Sequence, residues 1–305
     1  FLSSLACHGS YRRWRYWHPG WRFEAIGTQW AIDTHEPLTD DERAAVLVMI
    51  DEFDREWSRF REDSTVSALA SGGSRPLPAD AEAMFTIYAD LDAATGGAVN
   101  PLVGVSLEAL GYDRSYSLCQ SAPVNAPADW RRLVSIDDGA LTLSQPALID
   151  VGAIGKGRLV DLVLDHLEGQ KQGALTVDAG GDVRRSGVRE RIGLEHPYDP
   201  TRIIGVVDLE DAALCASATN RRAWGDGLHH VLDARTGVPV RTVAATWAVA
   251  PTAMVADAAA TALFFEGGAE LAYRWGVEWV RMTTVGRVEW SPGFGTERCK
   301  AELFT

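Results

Sequence analysis

The sequence predicts an α+β fold, and three observations carry that prediction. Strand-like and helix-like segments are mixed along the chain without a regular β-α-β alternation. The 305 residues are 46% hydrophobic and 23% charged, enough to bury a large core and too apolar for a disordered chain. No run of about 18 apolar residues is free of charge. The nearest candidate, 243–265, is broken by Pro251 and Asp257, so a membrane-spanning helix is not expected.

The N-terminal segment reads differently from the rest. Residues 1–30 hold four Arg and one Glu, inside a chain whose formal charge is −13. Arg12, Arg13, Trp14, Arg15, Tyr16, Trp17, Trp21 and Arg22 form a basic aromatic patch. Residues 1–22 are therefore expected to be an N-terminal extension and 23–305 one domain. Any membrane-surface contact would fall to the extension. The sequence does not begin with Met, as expected of a processed or trimmed chain. Phe1 to Ala6 ahead of Cys7 is a weak match to the end of a lipoprotein signal. The compartment is thus left open between cytoplasm and extracytoplasmic lipoprotein. Cys7, Cys119, Cys215 and Cys299 form no C-x-x-C pair, so neither a thiolate zinc site nor a disulfide framework is expected. The acidic balance argues against a general nucleic-acid binder but permits a local basic pocket for one phosphorylated ligand.

The elements follow in order. Residues 23–34 alternate around Gly27 and read as a strand. Thr39 and Glu42 make a capping box that opens a helix of about twenty residues. Val46, Ile50, Phe53, Trp57 and Phe60 recur on its core face. A charged loop follows to Ser67, and a second helix spans about 80–95, stopped by Gly96-Gly97. Residues 97–113 read as an irregular functional loop and 114–130 as a linker. Leu148–Val151 reads as a short buried strand running into Gly152, Gly155 and Gly157, then a helix to Glu168. Further strands are expected near 174–179, 190–196, 203–209, 213–217, 228–233, 243–250, 277–283 and 286–290, with a helix over 252–265.

Four segments could carry chemistry. Residues 150–158 (DVGAIGKGR) run from strand through glycine turn to helix, which suits a phosphate, since backbone amides and the positive end of the helix dipole face outward. They are neither a Walker loop nor a dinucleotide fingerprint, and tight strand-to-helix packing explains the glycines equally well. Asp178 and Asp182 bracket Gly180-Gly181, as a functional turn or an Asx turn would. Asp257 and Thr261, four apart on a helix, share one face. They offer hard oxygens suited to Mg²⁺, or else a surface Asp and a Thr bonded to its own turn. The apolar run around Asp257 favours burial, and a buried carboxylate needs a partner or a metal. His229 and His230 offer a general base or a structural pair.

Taken in order, these segments resemble the FAD:protein FMN transferase (ApbE) family. AIGTQW (25–30), WSRFREDSTVS (57–67), TGGAVNPLVG (95–104), IDVGAIGKGRLVD (149–161), VDAGGDVRRSG (177–187), HHVLDARTGVPV (229–240) and APTAMVADAAATALF (250–264) are each similar to a family segment. The resemblance implies an ApbE-like, T-fold-related domain with FAD in a cleft. It implies Mg²⁺-dependent transfer of FMN from FAD onto a Thr or Ser hydroxyl of an acceptor flavoprotein, with release of AMP. Hydrolysis of FAD to FMN and AMP, or flavin binding without turnover, are the alternatives.

By position, the resemblance implies metal ligands at Asp257, Thr261 and the Gly155 carbonyl, and a catalytic base at His230. It implies FAD contacts at Ile26, Phe60, Ala98, Val99, Asn100, Gly152, Arg158 and Val231, with Lys156 and Asp182 lining the same site. Asn100 stands where the family has Asp, Val99 where Phe is common, Gly155 for Ala, Arg158 for Tyr and Ala218 for Gly. None of these removes a proposed metal ligand or the His.

Overall fold

The computed structural model describes residues 20–171 and 173–304. The basic aromatic patch ahead of residue 20 and the Cys7 context lie outside the described residues.

One antiparallel sheet of eight strands organises the fold, and its spatial order is its sequence order. The strands are β1 (Trp21–Ala25), β2 (Thr28–Thr34), β3 (Leu175–Ala179), β4 (Asp182–Ser186), β5 (Ala212–Ala218), β6 (Val243–Ala250), β7 (Glu278–Thr283) and β8 (Val288–Trp290). The expected single strand over 23–34 is instead the β1–β2 hairpin. Ile26 and Gly27 both take left-handed φ (45° and 71°) to make the two-residue turn that matches strand twist.

The helices are inserted into this meander. α1 (Asp40–Trp57), α2 (Ala81–Thr95) and α3 (Gly155–Glu168) lie between β2 and β3, and α4 (Ala253–Ala262) lies between β6 and β7. The capping box forms: the Thr39 side chain accepts from the Glu42 amide and the Glu42 side chain accepts from the Thr39 amide. Val46, Ile50, Phe53 and Trp57 are buried as the helical spacing requires. Phe60 does not join them, because α1 ends at Trp57 and Ser58 turns extended.

The main sheet is covered on both faces, so its central strands alternate between two cores. On β5, Ala213 and Cys215 face the helices, while Leu214 faces a second, three-stranded sheet of Glu190–His196, Asp199–Leu209 and Ala301–Leu303. On β6, Ala248 and Ala250 face the helices, while Ala245 and Trp247 face the second sheet. Leu148–Val151 is buried but is not a strand. Its backbone bonds go elsewhere: the Asp150 amide donates to Pro101, and the Leu148 carbonyl accepts from Gly104. The expected strand over 228–233 is reduced to two-residue pairings, Leu228–His229 and Leu232–Asp233.

Candidate active site

The glycine turn, α3, α4 and the start of β4 meet at one point. α3 begins at Gly155, so Lys156 lies in its first turn. Gly157 lets the two helices touch: a Cβ there would stand 2.2 Å from the Ala253 carbonyl oxygen. Across this contact the Gly157 amide donates to Asp257 Oδ2 at 3.0 Å. Asp161, one turn further along α3, accepts from the Ala253 and Met254 amides at 2.8 and 2.9 Å and so caps the first turn of α4.

Three charged groups result. Asp257 is 2% exposed; burial pushes its carboxyl up, and Asp182 adds to this, against the opposing Lys156 charge and Gly157 amide. Lys156 forms an ion pair with the fully buried Asp182. Burial opposes the ammonium, but Asp182 and Asp257 outweigh it and hold the Lys156 pKa above its ordinary value. Among the described residues, Asp182 Oδ1 has no hydrogen-bond partner. Two buried carboxyl groups thus share one lysine, which is in direct contact with Asp182, and burial with Asp182 drives Asp257 toward its protonated form.

The Thr261 hydroxyl, one turn after Asp257, lies 3.3 Å from the Ala153 carbonyl oxygen. This is the carbonyl that the Thr261 hydroxyl bonds, two residues before Gly155. Gly155 opens α3, where a carbonyl is normally taken by the amide four residues on. The Asp257 carboxyl, the Thr261 hydroxyl and the Ala153 carbonyl are hard oxygen donors near the unpartnered Asp182 Oδ1, and they fit a small divalent cation. Among the described residues no cluster of three or more His, Cys, Asp or Glu could hold a metal. A cation here would take its remaining ligands from water and a phosphate, as Mg²⁺ commonly does.

His230 stands at the edge of this cluster, half-buried, with Nδ1 unpartnered among the described residues. Burial, then the Arg222, His229 and Lys156 charges, push its pKa well below the ordinary 6.5. It is therefore a neutral imidazole at pH 7. His229 is engaged instead with the Val240 carbonyl at 2.8 Å. Cys215, buried on β5, is no nucleophile: burial, Asp182 and Asp257 push its thiol far up.

Beside the cluster lies an aromatic wall that sequence reasoning largely missed. Phe60 stacks on Tyr116 with centroids 5.3 Å apart and meets Tyr112 edge-on, also at 5.3 Å. Tyr112 in turn stacks on Trp224 at 5.4 Å. The buried Arg59 lies over Phe60 at 4.1 Å and donates through Nε to Asp150 at 2.6 Å. Asp150 Oδ1 accepts the Gly152 amide at 2.7 Å and so shapes the glycine turn. Arg59 was visible in the S-R-F segment, but Tyr112, Tyr116 and Trp224 carry no signal of their own.

Other anticipated residues are placed differently. Arg158 is drawn away from Lys156 to Asp80 at the head of α2, at 2.8 Å through Nε. Asn100 is buried and structural: its amide donates to Pro127 and accepts from Leu102, both at 2.8 Å. Ala98, Val99 and Val231 are buried in the helix-side core, and Ile26 sits at the hairpin tip.

The chain matches the ApbE family over residues 26–279. It is 30% identical over 273 residues to the FAD:protein FMN transferase of Treponema pallidum, covering 78% of this chain and 73% of that protein. It is 27% identical over 239 residues to that of Vibrio cholerae, covering 72% and 71%. Its fold is that of the apo flavinyl transferase ApbE of Pseudomonas stutzeri, with a TM-score of 0.76 at 21% identity over 90% of this chain and 95% of that one. The ApbE protein of Thermotoga maritima aligns with a TM-score of 0.75 at 25% identity over 92% and 98%. The α+β fold, its FAD-transferase relatives and the converging oxygen donors agree, and the chain belongs to the ApbE family.

Proposed function

We propose that this protein is a transferase moving FMN from FAD onto a Thr or Ser hydroxyl of an acceptor flavoprotein, with Mg²⁺ as cofactor and AMP as the other product. Residues 23–305 would form the transferase domain. The observation that carries the reading is the meeting of Asp257, Thr261, Lys156 and Asp182 beside a neutral His230, in a chain whose relatives are FAD:protein FMN transferases.

The acceptor hydroxyl oxygen forms a bond to the flavin-side phosphorus. The bond from that phosphorus to the AMP phosphate oxygen breaks, and its electron pair leaves with AMP. The hydroxyl proton goes to the His230 imidazole, which is free to accept it at neutral pH. Lys156 faces the pyrophosphate and balances its charge, while the Gly155, Arg158 and Gly157 amides in the first turn of α3 are taken by Val151, Ile154 and Asp257. Asp257, Thr261 and the Ala153 carbonyl would hold the Mg²⁺, which neutralises pyrophosphate oxygens when bound. Phe60, with Tyr116 and Tyr112, offers planar apolar surface for a ring of the dinucleotide.

A denaturing gel read for flavin fluorescence tests this reading. The purified chain is incubated with FAD, Mg²⁺ and an acceptor domain of the redox-flavoprotein type. A fluorescent acceptor band that disappears without Mg²⁺ is the expected result. A dark band with AMP in the same tube indicates hydrolysis of FAD; a dark band without AMP indicates binding alone.

A further inference from the structure

The protein is acidic, and its arginines are mostly tied to carboxylates. Among the described residues, the arginines without a carboxylate within 4 Å are Arg75, Arg132, Arg202, Arg222, Arg241 and Arg274. All of these are exposed except Arg222, which is half-buried. A half-buried guanidinium with no carboxylate at ion-pair distance among the described residues is poorly compensated, and such a cation normally has a partner.

The surroundings of Arg222 show which side of the site it serves. Its Nη1 donates to the Tyr112 hydroxyl at 2.9 Å, and its guanidinium carbon lies 6.0 Å from the Tyr112 ring centroid. Tyr112 is the ring that meets Phe60 edge-on. The Arg222 charge also acts on Lys156, Asp257 and His230. Arg222 therefore stands between the aromatic wall and the charged cluster, with one fixed hydrogen bond and four further N–H donors to give.

We propose that Arg222 binds the pyrophosphate of the dinucleotide substrate and takes up the negative charge that gathers on the departing AMP phosphate. This rests on the transferase reading above. A phosphate oxygen supplies the acceptor that the protein does not, and a planar guanidinium matches two phosphate oxygens at once. Lys156, already committed to Asp182, would be the second cation. Arg222 would thus be a catalytic residue, touching the group that leaves, while Tyr112 positions it.

Calorimetry in EDTA, with FAD and separately with riboflavin, tests the binding part on wild type, Arg222→Met, Arg222→Lys and Tyr112→Phe. Loss of a charge-assisted phosphate contact should weaken FAD binding about 10- to 100-fold in Arg222→Met. Riboflavin, which has no phosphate, should bind as in wild type, and this also reports an intact fold. Arg222→Lys should recover part of the loss, since it keeps the charge but not the fork. Tyr112→Phe should lose less than Arg222→Met. With Mg²⁺ and saturating FAD, Arg222→Met should also lower the rate of AMP release.

Equal FAD affinity in wild type and Arg222→Met would overturn the proposal. So would a parallel loss of riboflavin, because Arg222 would then only brace Tyr112. If Arg222→Met does not fold, Arg222→Lys decides alone: FAD binding unchanged from wild type overturns the proposal, and a selective loss supports it. A wild type that binds FAD neither in EDTA nor with Mg²⁺ sinks the transferase reading itself, and this inference with it; one that binds FAD only with Mg²⁺ moves the same comparison of variants to Mg²⁺.

Discussion

At the residue scale, the pKa directions make His230 the most exposed of the proposed roles. Burial comes first and the Arg222 charge second in lowering its pKa below 6.5. A base must be unprotonated, so at saturating Mg²⁺ activity should hold as pH falls through 6.5 and drop only at lower pH, where the ring takes a proton. The stability sign follows from the same shift. A histidine whose folded pKa is depressed contributes fully above 6.5, and that contribution fades as pH falls, because the unfolded chain takes the proton more readily. We predict that His230→Ala slows AMP release and FMN transfer by about 10²- to 10⁴-fold while FAD affinity in EDTA stays within a factor of two. AMP release at the wild-type rate in His230→Ala would remove the base role. Arg59 shows a residue whose part was only half legible. It stands in the S-R-F segment, but its place over Phe60 depends on Asp150, which lies 91 residues away.

At the element scale, what the sequence showed were local chemical rules, and what it hid were long-range partners. The Thr39–Glu42 box was legible because both halves lie within one turn. Strand β4 was not, because Val183-Arg184-Arg185-Ser186 lacks an apolar alternation. Its arginines instead pair with Asp161, Asp165 and Glu190 across the sheet and helix. Phe60 kept helical spacing from Trp57, yet three residues are too few to show that the helix had ended. The segment 148–151 had the composition of a strand, but a strand needs a partner edge. Here Pro101, Gly104 and the Tyr88 hydroxyl take the backbone groups instead. The glycine turn was recognised as special without the reason at Gly157. A methyl group there would meet the Ala253 carbonyl at 2.2 Å and Asp257 Cβ at 2.8 Å. We predict that Gly157→Ala forces α3 and α4 apart, costs about 1–3 kcal/mol, and lowers the melting temperature by several degrees. It should also weaken Mg²⁺ binding, because the Gly157 amide orients Asp257. A variant that melts with wild type would show the helix contact to be looser than the distances state.

At the scale of the whole molecule, the site exists only because the meander folds back on itself. Lys156 is 26 residues from Asp182 and the Gly157 amide is 100 residues from Asp257, yet all are at one junction. No spacing rule in the sequence joins them, so only the ordered resemblance to the ApbE family could assign them to one site. The same junction makes cation binding a property of the assembled fold. Burial and Asp182 raise the Asp257 pKa above its ordinary 3.8, so without a cation the buried carboxyl holds its proton more readily than in the unfolded chain. Its sign is therefore the reverse of a paired surface carboxylate: its contribution is present below pH 3.8 and is lost as pH rises through the raised value. A bound Mg²⁺ requires the carboxylate, so binding should release a proton, and affinity should climb with pH until the raised value is passed. Binding should also stabilise the protein, by about 2.7 kcal/mol at a cation concentration one hundred times Kd. Calorimetry of Mg²⁺ in buffers of different ionisation enthalpy reads the proton release, and thermal melts read the stabilisation. Asp257→Asn should melt higher than wild type in EDTA at alkaline pH, because it removes the unfavourable charge, and should lose both the proton release and the Mg²⁺-dependent gain. If Asp257→Asn kept the full Mg²⁺-dependent gain, the cation would have to sit elsewhere, and the oxygen donors between α3 and α4 would be only a packing contact.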